Sequence, residues 1–214
     1  MQNIIFDLDG TLLDSMWVWE MVDDEFLQQH GYITDATLRR QLKVLNIKQS
    51  ARLLQEHFQI QLAHHEIIES IRKIVHEKYQ RLVVFKPDAL VYLQNLHANG
   101  VKMCLATATE RCNAEAVLKK HQVLDYFEFL LTGDEIATGK NDPEIFRQCC
   151  QRLGAEPSEV TVFEDSLHAI VAAKEAGCRV VGVFDPSSKN DAPKIQEICD
   201  EYVLNFEDLL TRLE

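Results

Sequence analysis

The sequence predicts an α/β protein with a mainly parallel sheet and a block of helices inserted after the first strand. Three observations predict it. Short apolar runs recur along the chain, with helically spaced segments between them. The first run ends in two carboxylates and a glycine, Asp7-Leu8-Asp9-Gly10. The stretch from Ser15 to about Val84 carries no strand pattern.

The first strand is expected at Ile4-Ile5-Phe6. The second is Val101-Lys102-Met103-Cys104-Leu105-Ala106, entered through Asn99-Gly100. Phe129 to Thr132, Val160 to Phe163 and Val180 to Phe184 follow, and Tyr202-Val203-Leu204 makes a short sixth. Between them Leu90, Leu93 and Leu96, then Ala114, Val117 and Leu118, then Ile145, Phe146 and Cys149, then Ile170, Ala173 and Ala176 carry helical spacing. Strands alternating with such helices imply right-handed crossovers, with the ligand site at the carboxyl ends of the strands. In the interrupting stretch, Trp17, Met21 and Val22; Leu38, Leu42 and Leu45; Leu53, Leu54 and Phe58; and Ile67, Ile71, Ile74 and Tyr79 repeat at helical intervals. This insert reads as a lid or cap, and Lys86-Pro87-Asp88 marks the return to the core.

The bulk composition suits this reading. A chain of 214 residues, 46% hydrophobic and 26% charged, is long enough for one sizeable core or for a core plus a small second domain. A net charge of -12 argues against a nucleic-acid surface, although a local metal can reverse the field within one pocket. Cys104, Cys112, Cys149, Cys150, Cys178 and Cys199 form no Cys-x-x-Cys pair and read as small buried hydrophobes in a reducing cytosol. The N-terminus has no basic leader pattern and no run is long enough to span a membrane, so a cytoplasmic protein is expected.

Carboxylates are rarely placed at a buried strand end for packing. Asp7 and Asp9 would repel unless a cation or a proton lies between them, which points to a hard metal ion and phosphate chemistry. Other strand ends add Thr107 after Cys104-Leu105-Ala106, and Glu164-Asp165-Ser166; the loop Gly139-Lys140-Asn141-Asp142-Pro143 adds a lysine. One carboxylate can attack phosphorus while a second carries the proton. A hydroxyl and an ammonium can hold phosphoryl oxygens, and further acids can complete a Mg²⁺ site.

These motifs, in this order, closely resemble the haloacid dehalogenase superfamily, in the branch with a helical cap after the first strand. The motifs stand as Asp7-x-Asp9-Gly10-Thr11-Leu12-x-Asp14-Ser15, Thr107, Lys140 in Gly-Lys-Asn-Asp-Pro-Glu-Ile-Phe, and Phe163-Glu164-Asp165-Ser166 leading to Ala172-Ala173 and Ala176-Gly177. The resemblance implies a Rossmann-like three-layer α/β core over residues 1–14 and 85–214, with an α-helical cap over 15–84. It implies that Asp7 is the nucleophile and a Mg²⁺ ligand, and that Asp9 is the general acid/base with its backbone carbonyl on the metal. Thr107, Ala108 and Lys140 would bind the phosphate, and Asp165 and Glu164 would complete the metal site, Glu164 directly or through water. Gly10 permits the turn after the nucleophile. The chain departs from the family where Asn141 replaces Pro, and where Asp88 and Ala169 replace Gly, positions that shape loops and helix starts.

The implied function is a Mg²⁺-dependent phosphatase acting on a small phosphorylated metabolite through an aspartyl-phosphate, as a monomer or weak homodimer with no nucleic-acid or membrane partner. A sugar phosphomutase of the β-phosphoglucomutase type is the alternative within the same chemistry. A regulatory or binding module that retains the fold is the alternative outside enzymes. A dehalogenase is disfavoured, because it needs neither a second acid at Asp9 nor the Glu164-Asp165 pair. Gly133 to Lys140 does not fit a nucleotide phosphate loop, since Asn141 replaces the Ser or Thr that would meet Mg²⁺. His64, His65 and Glu69 read as a solvated helix face. Trp17 and Trp19 are candidates for one packed and one substrate-facing side chain, and Lys48 sits in an expected interhelical turn, with contact to an anionic leaving group as its alternative role.

Overall fold

The computed structural model describes residues 2–42, 45–133, 135 and 140–211. The chain divides into two compact units: Met1–Asp14 with Val83–Glu214, and Ser15–Leu82.

The first unit is built on a six-stranded sheet. Its strands are β1 (Asn3–Phe6), β4 (Lys102–Ala106), β5 (Phe127–Leu131), β6 (Val160–Glu164), β7 (Arg179–Val183) and β8 (Glu201–Val203). Two short strands, β2 (Leu13–Asp14) and β3 (Val84–Phe85), pair antiparallel with each other. The main sheet runs β5-β4-β1-β6-β7-β8, and every pair in it is parallel. This is the α/β architecture that the alternation of apolar runs predicts. β6 is buried along its whole length, because a parallel sheet has both faces covered.

The two faces use alternate residues. Ile5, Val160, Val162 and Val180 pack with α7 (Glu144–Leu153) and α8 (Leu167–Glu175). The helices contribute Ile145, Phe146, Cys149 and Cys150, and the small side chains Ala169, Ala172 and Ala173. On the other face Phe6 stacks on Phe163 with ring centroids 4.8 Å apart. Tyr92 of α5 (Ala89–Ala98) packs against both Phe163 and Phe206. α6 (Arg111–Lys120), α9 (Ala192–Ile198) and α10 (Glu207–Leu210) complete this unit among the described residues.

β1 lies between β4 and β6, and the connections out of neighbouring strands run opposite ways across the sheet, from β1 toward β4 and from β6 toward β7. At such a switch point the loops splay apart and open a crevice at the carboxyl ends of the strands. β3 draws Val83 and Val84 into this unit, because Val84 pairs with Asp14; from sequence both fall at the end of the helical insert. Asp88 begins α5 with φ of +62°, a left-handed conformation that ordinarily favours glycine.

The second unit carries α1 (Met16–Gln29), α2 (Ala36–Leu42), α3 (Ile47–Phe58) and α4 (His64–Arg81). Val18, Val22, Phe26 and Leu27 of α1 are buried, as are Ile67, Ile71, Ile74, Val75 and Tyr79 of α4. Asn46 caps α3 in a reciprocal box with Gln49, which is why the helix starts where the sequence reading expects a turn. Trp19 meets Tyr79 edge-on at 6.4 Å, and Lys78 lies over the Trp17 ring at 5.8 Å. Both tryptophans are half-buried with partners inside this unit, while Lys48, His64, His65 and Glu69 are exposed. Cys104, Cys149, Cys150 and Cys178 are buried free thiols; Cys112 is exposed and Cys199 half-buried. No helix among the described residues is long and apolar enough to cross a membrane.

Candidate active site

The register of the sheet builds the site. Phe6 lies level with Leu105 on one side and with Phe163 on the other. The next residue of each strand is therefore Asp7, Ala106 and Glu164. The Asp7 N–H donates to Phe163 O at 3.0 Å, and the Thr107 N–H donates to Leu131 O at 3.0 Å, so ladder bonding continues to the strand ends. Asp7, Thr107, Glu164 and Asp165 are all buried there.

Lys140 comes from the loop after β5, and its ammonium lies between two of these acids. It reaches Asp7 Oδ1 at 2.5 Å and Glu164 Oε2 at 2.8 Å. Burial works against the charge on Lys140, but the neighbouring Asp7 and Glu164 carboxylates outweigh it and hold the ammonium protonated. Burial, helped by the charge of Asp7, pushes Glu164 above the usual carboxylate range, with Lys140 opposing. Burial and the charges of Glu164 and Asp7 push Asp165 well up. With all three carboxylates ionised against one ammonium, the cluster would carry an excess of two negative charges in a buried place.

That excess fits a divalent cation. Asp7, Glu164 and Asp165 each offer an oxygen, and these oxygens lie within 4.8 Å of one another. Asp7 Oδ2 is buried and has no hydrogen-bond partner among the described residues, although buried carboxylate oxygens normally find a donor. The donor set is all oxygen, which suits a hard cation.

The turns around the cluster hold it tightly. Gly10 adopts φ of +81°, and the Gly10 N–H donates to Leu13 O at 3.1 Å. Thr11 Oγ1 donates to Asp165 Oδ1 at 3.2 Å, and the Ser166 hydroxyl donates to Glu164 Oε1 at 2.5 Å. Asp9, two residues beyond Asp7, is half-buried and accepts a hydrogen bond at Oδ2 from the hydroxyl of Thr109. The Thr109 N–H in turn donates to Thr107 Oγ1 at 3.1 Å. Ala108 between them is exposed, and its carbonyl presses on Gly133, where a Cβ would stand 2.0 Å from Ala108 O.

The structure thus brings Asp7, Lys140, Glu164 and Asp165 into one cluster. Asp9, Thr107 and Ala108 stand at the ends of the adjoining strands, tied to one another through Thr109. Gly139 of the lysine loop lies outside the described residues. Sequence reasoning assigns no role to Thr109, to the hydroxyl of Thr11 or to that of Ser166. The signal for Thr109 is a hydroxyl residue two positions beyond the strand-end threonine, the spacing of a local side-chain-to-backbone turn.

Comparison with known proteins adds the relationship. The chain is 29% identical to a phosphorylated carbohydrates phosphatase of Thermotoga maritima over 100% of this chain and 99% of the relative. It is 26% identical to hexitol phosphatase A of Escherichia coli over 92% of this chain and 88% of the relative. Its fold matches a crystal structure from Thermotoga maritima described provisionally as a β-phosphoglucomutase, with a TM-score of 0.82, 26% identity, and coverage of 100% of this chain and 98% of that one. The model of the haloacid dehalogenase-like hydrolases matches residues 4–183, spanning β1 through β7, the cluster of Asp7, Lys140, Glu164 and Asp165 and its flanking turns, and the chain belongs to that family.

Proposed function

We propose that the protein is a phosphoric monoester hydrolase that removes phosphate from a small phosphorylated metabolite with the help of Mg²⁺. The observation that carries this reading is the setting of Asp7. Its carboxylate is buried at the switch point, faces Lys140 on one oxygen, and keeps its other oxygen without a protein donor among the described residues. A phosphorylated carbohydrate is the favoured substrate class, since the relatives in Thermotoga maritima and Escherichia coli are named for phosphorylated carbohydrates and hexitols.

A Mg²⁺ held by Asp7, Glu164, Asp165 and the Asp9 carbonyl would offset the charge of the phosphoryl group. In the first transfer an Asp7 oxygen attacks phosphorus as the bond to the substrate oxygen breaks. Asp9 gives its proton to that leaving oxygen, and the phosphoryl group stays on Asp7 as an acyl phosphate. Lys140, the Thr107 hydroxyl and the Ala108 N–H bind the phosphoryl oxygens. In the second transfer a water attacks phosphorus, Asp9 takes the proton from it, and the bond to Asp7 breaks to release phosphate.

Asp7→Asn tests the reading. It should abolish phosphate release from hexitol and sugar phosphates while leaving the circular-dichroism spectrum and the urea midpoint near those of the parent. Substantial turnover by that variant would remove Asp7 as nucleophile. Product analysis with a sugar 1-phosphate separates the two enzyme classes, because an isomer in place of free phosphate would assign a mutase.

A further inference from the structure

Four cysteines pack on the α7 and α8 face of the sheet, and they divide into two pairs. Cys149 of α7 meets Cys104 of β4 in the core, where burial and the hydrogen bond with Cys149 push the Cys104 thiol well up. Cys150, the next residue of α7, meets Cys178 instead, with the two sulfurs 3.7 Å apart. Both thiols of this second pair are free and buried.

Each of the two stands where a helix ends. The Cys150 carbonyl accepts from the Ala155 N–H at 3.1 Å as α7 closes, and the Cys178 N–H donates to Ala173 O at 3.1 Å just past the end of α8. Their chain neighbours are exposed: Gln151 and Arg152 after Cys150, and Gly177 and Arg179 around Cys178. The sulfurs are out of bulk water but one residue away from it. A disulfide holds its sulfurs about 2.0 Å apart, so from 3.7 Å each sulfur need move by less than about 1 Å. Side-chain rotation and a small shift of two helix ends supply that much. The hydrogen bond from Cys178 draws the Cys150 thiol below its ordinary value, and the same contact, with burial, pushes Cys178 up. Cys150 is therefore the sulfur that ionises first.

We propose that Cys150 and Cys178 form a peroxide-responsive dithiol that closes to an intramolecular disulfide in the folded protein. The Cys150 thiolate attacks one oxygen of hydrogen peroxide. An S–O bond forms, the O–O bond breaks, and the departing oxygen takes up the Cys150 proton and leaves as water. The Cys178 thiol then attacks the Cys150 sulfur. The S–S bond forms, the S–O bond breaks, and the hydroxyl leaves with the Cys178 proton as a second water. The two sulfurs give up two electrons and the peroxide accepts them. The ring so closed runs from α7 to the start of β7 and contains Glu164 and Asp165.

The experiment exposes the reduced full chain, freed of reductant, to hydrogen peroxide at a dose that oxidises the exposed Cys112. The sample is then blocked with N-ethylmaleimide in denaturant and digested without reductant. One peptide pair joined through Cys150 and Cys178 is expected, lighter by two hydrogens than its separate parts and parted again by dithiothreitol. A ring closed in the native fold restricts the unfolded chain, so the oxidised protein should melt about 5–10 °C above the reduced one. Cys178→Ala should leave Cys150 as a sulfenic acid trapped by dimedone, and Cys150→Ala should leave Cys178 unoxidised at the same dose. Recovery of both thiols intact, a disulfide from either one to another cysteine, or oxidised protein that melts no higher than the reduced would overturn the proposal. If the alanine variants fail to fold, the parent's peptide map and melting temperature decide it alone.

Discussion

Gly10 stands against the carboxylate of Asp165 so closely that a Cβ on Gly10 would lie 2.6 Å from Asp165 Oδ2. The contact joins the turn after β1 to the end of β6, and the hydroxyl of Thr11 donates to the same carboxylate. Two demands therefore fall on one residue. It must adopt positive φ, and it must present no side chain toward an acid of the cluster.

Gly10→Ala should fail on both counts. The left-handed backbone alone costs a non-glycine residue about 1–2 kcal/mol. The clash adds to this by displacing Asp165. Urea unfolding should show a loss of at least about 2 kcal/mol. Titration of the folded variant with Mg²⁺, followed as a rise in melting temperature, should show a weaker response than the parent's. A variant with the parent's stability and Mg²⁺ response would show that the Asp165 carboxylate is free to move away.

Lys140→Met should expose the charge imbalance of the cluster. The ammonium contacts Asp7 and Glu164, and its loss leaves buried carboxylates facing one another. Breaking a buried ion pair in this way typically costs about 3–5 kcal/mol. The cost should be largest at alkaline pH, where the acids must stay charged, and smaller in mild acid, where Glu164 and Asp165 take up protons. Millimolar Mg²⁺ should recover part of it at pH 8. Equilibrium unfolding at two pH values, with and without Mg²⁺, reads all three effects.

Asp23 on α1 gives a pH dependence that is separate from the reaction. Burial pushes its carboxyl up from 3.8 to about 6, with a hydrogen bond from Ser50 opposing and the charge of Asp24 adding to the rise. A carboxyl with a raised folded pKa binds more protons in the native state than in the unfolded one. The stability it contributes is present below pH 3.8 and is lost as pH rises through about 6. Asp23→Asn should therefore stabilise the protein at pH 7.5 by about 1–2 kcal/mol, once solvent screening of a half-buried group is discounted. It should make little difference at pH 4. Melting temperatures across this range check the slope; a parent and variant that run parallel would place the Asp23 titration elsewhere.

The strands are largely legible in the sequence because burial on both faces leaves a local mark, a continuous apolar run such as Val160 to Phe163. The two-residue strands β2 and β3 leave no such mark. Leu13 and Asp14 become a strand only because Val84 and Phe85 come back beside them, and pairing of that kind has no periodicity to read. The boundary near Val84 has the same cause. In the site, the strand-end positions of Asp7, Thr107 and Glu164 follow from the runs that precede them. The contact of Lys140 with Asp7 crosses 133 positions and is set by the order of the strands. The Thr109 bond to Asp9 and the closeness of Gly10 to Asp165 are equally invisible, because they depend on turn geometry at a resolution that residue spacing does not carry.

The alternation of strands and helices, the helical insert after the first strand, and the acids, hydroxyl and lysine arranged as in the haloacid dehalogenase-like hydrolases are all legible in residue order. These are local patterns of polarity, and each one is written in a few consecutive residues. Only the tertiary structure decided which oxygen of Asp7 meets Lys140 and which lacks a donor. It alone decided which hydroxyl reaches Asp9, and why Gly10 and Gly133 have no room for a side chain. Those are matters of distance between strands brought together by a parallel sheet, and the chain folds them into contact only after every crossover has been made.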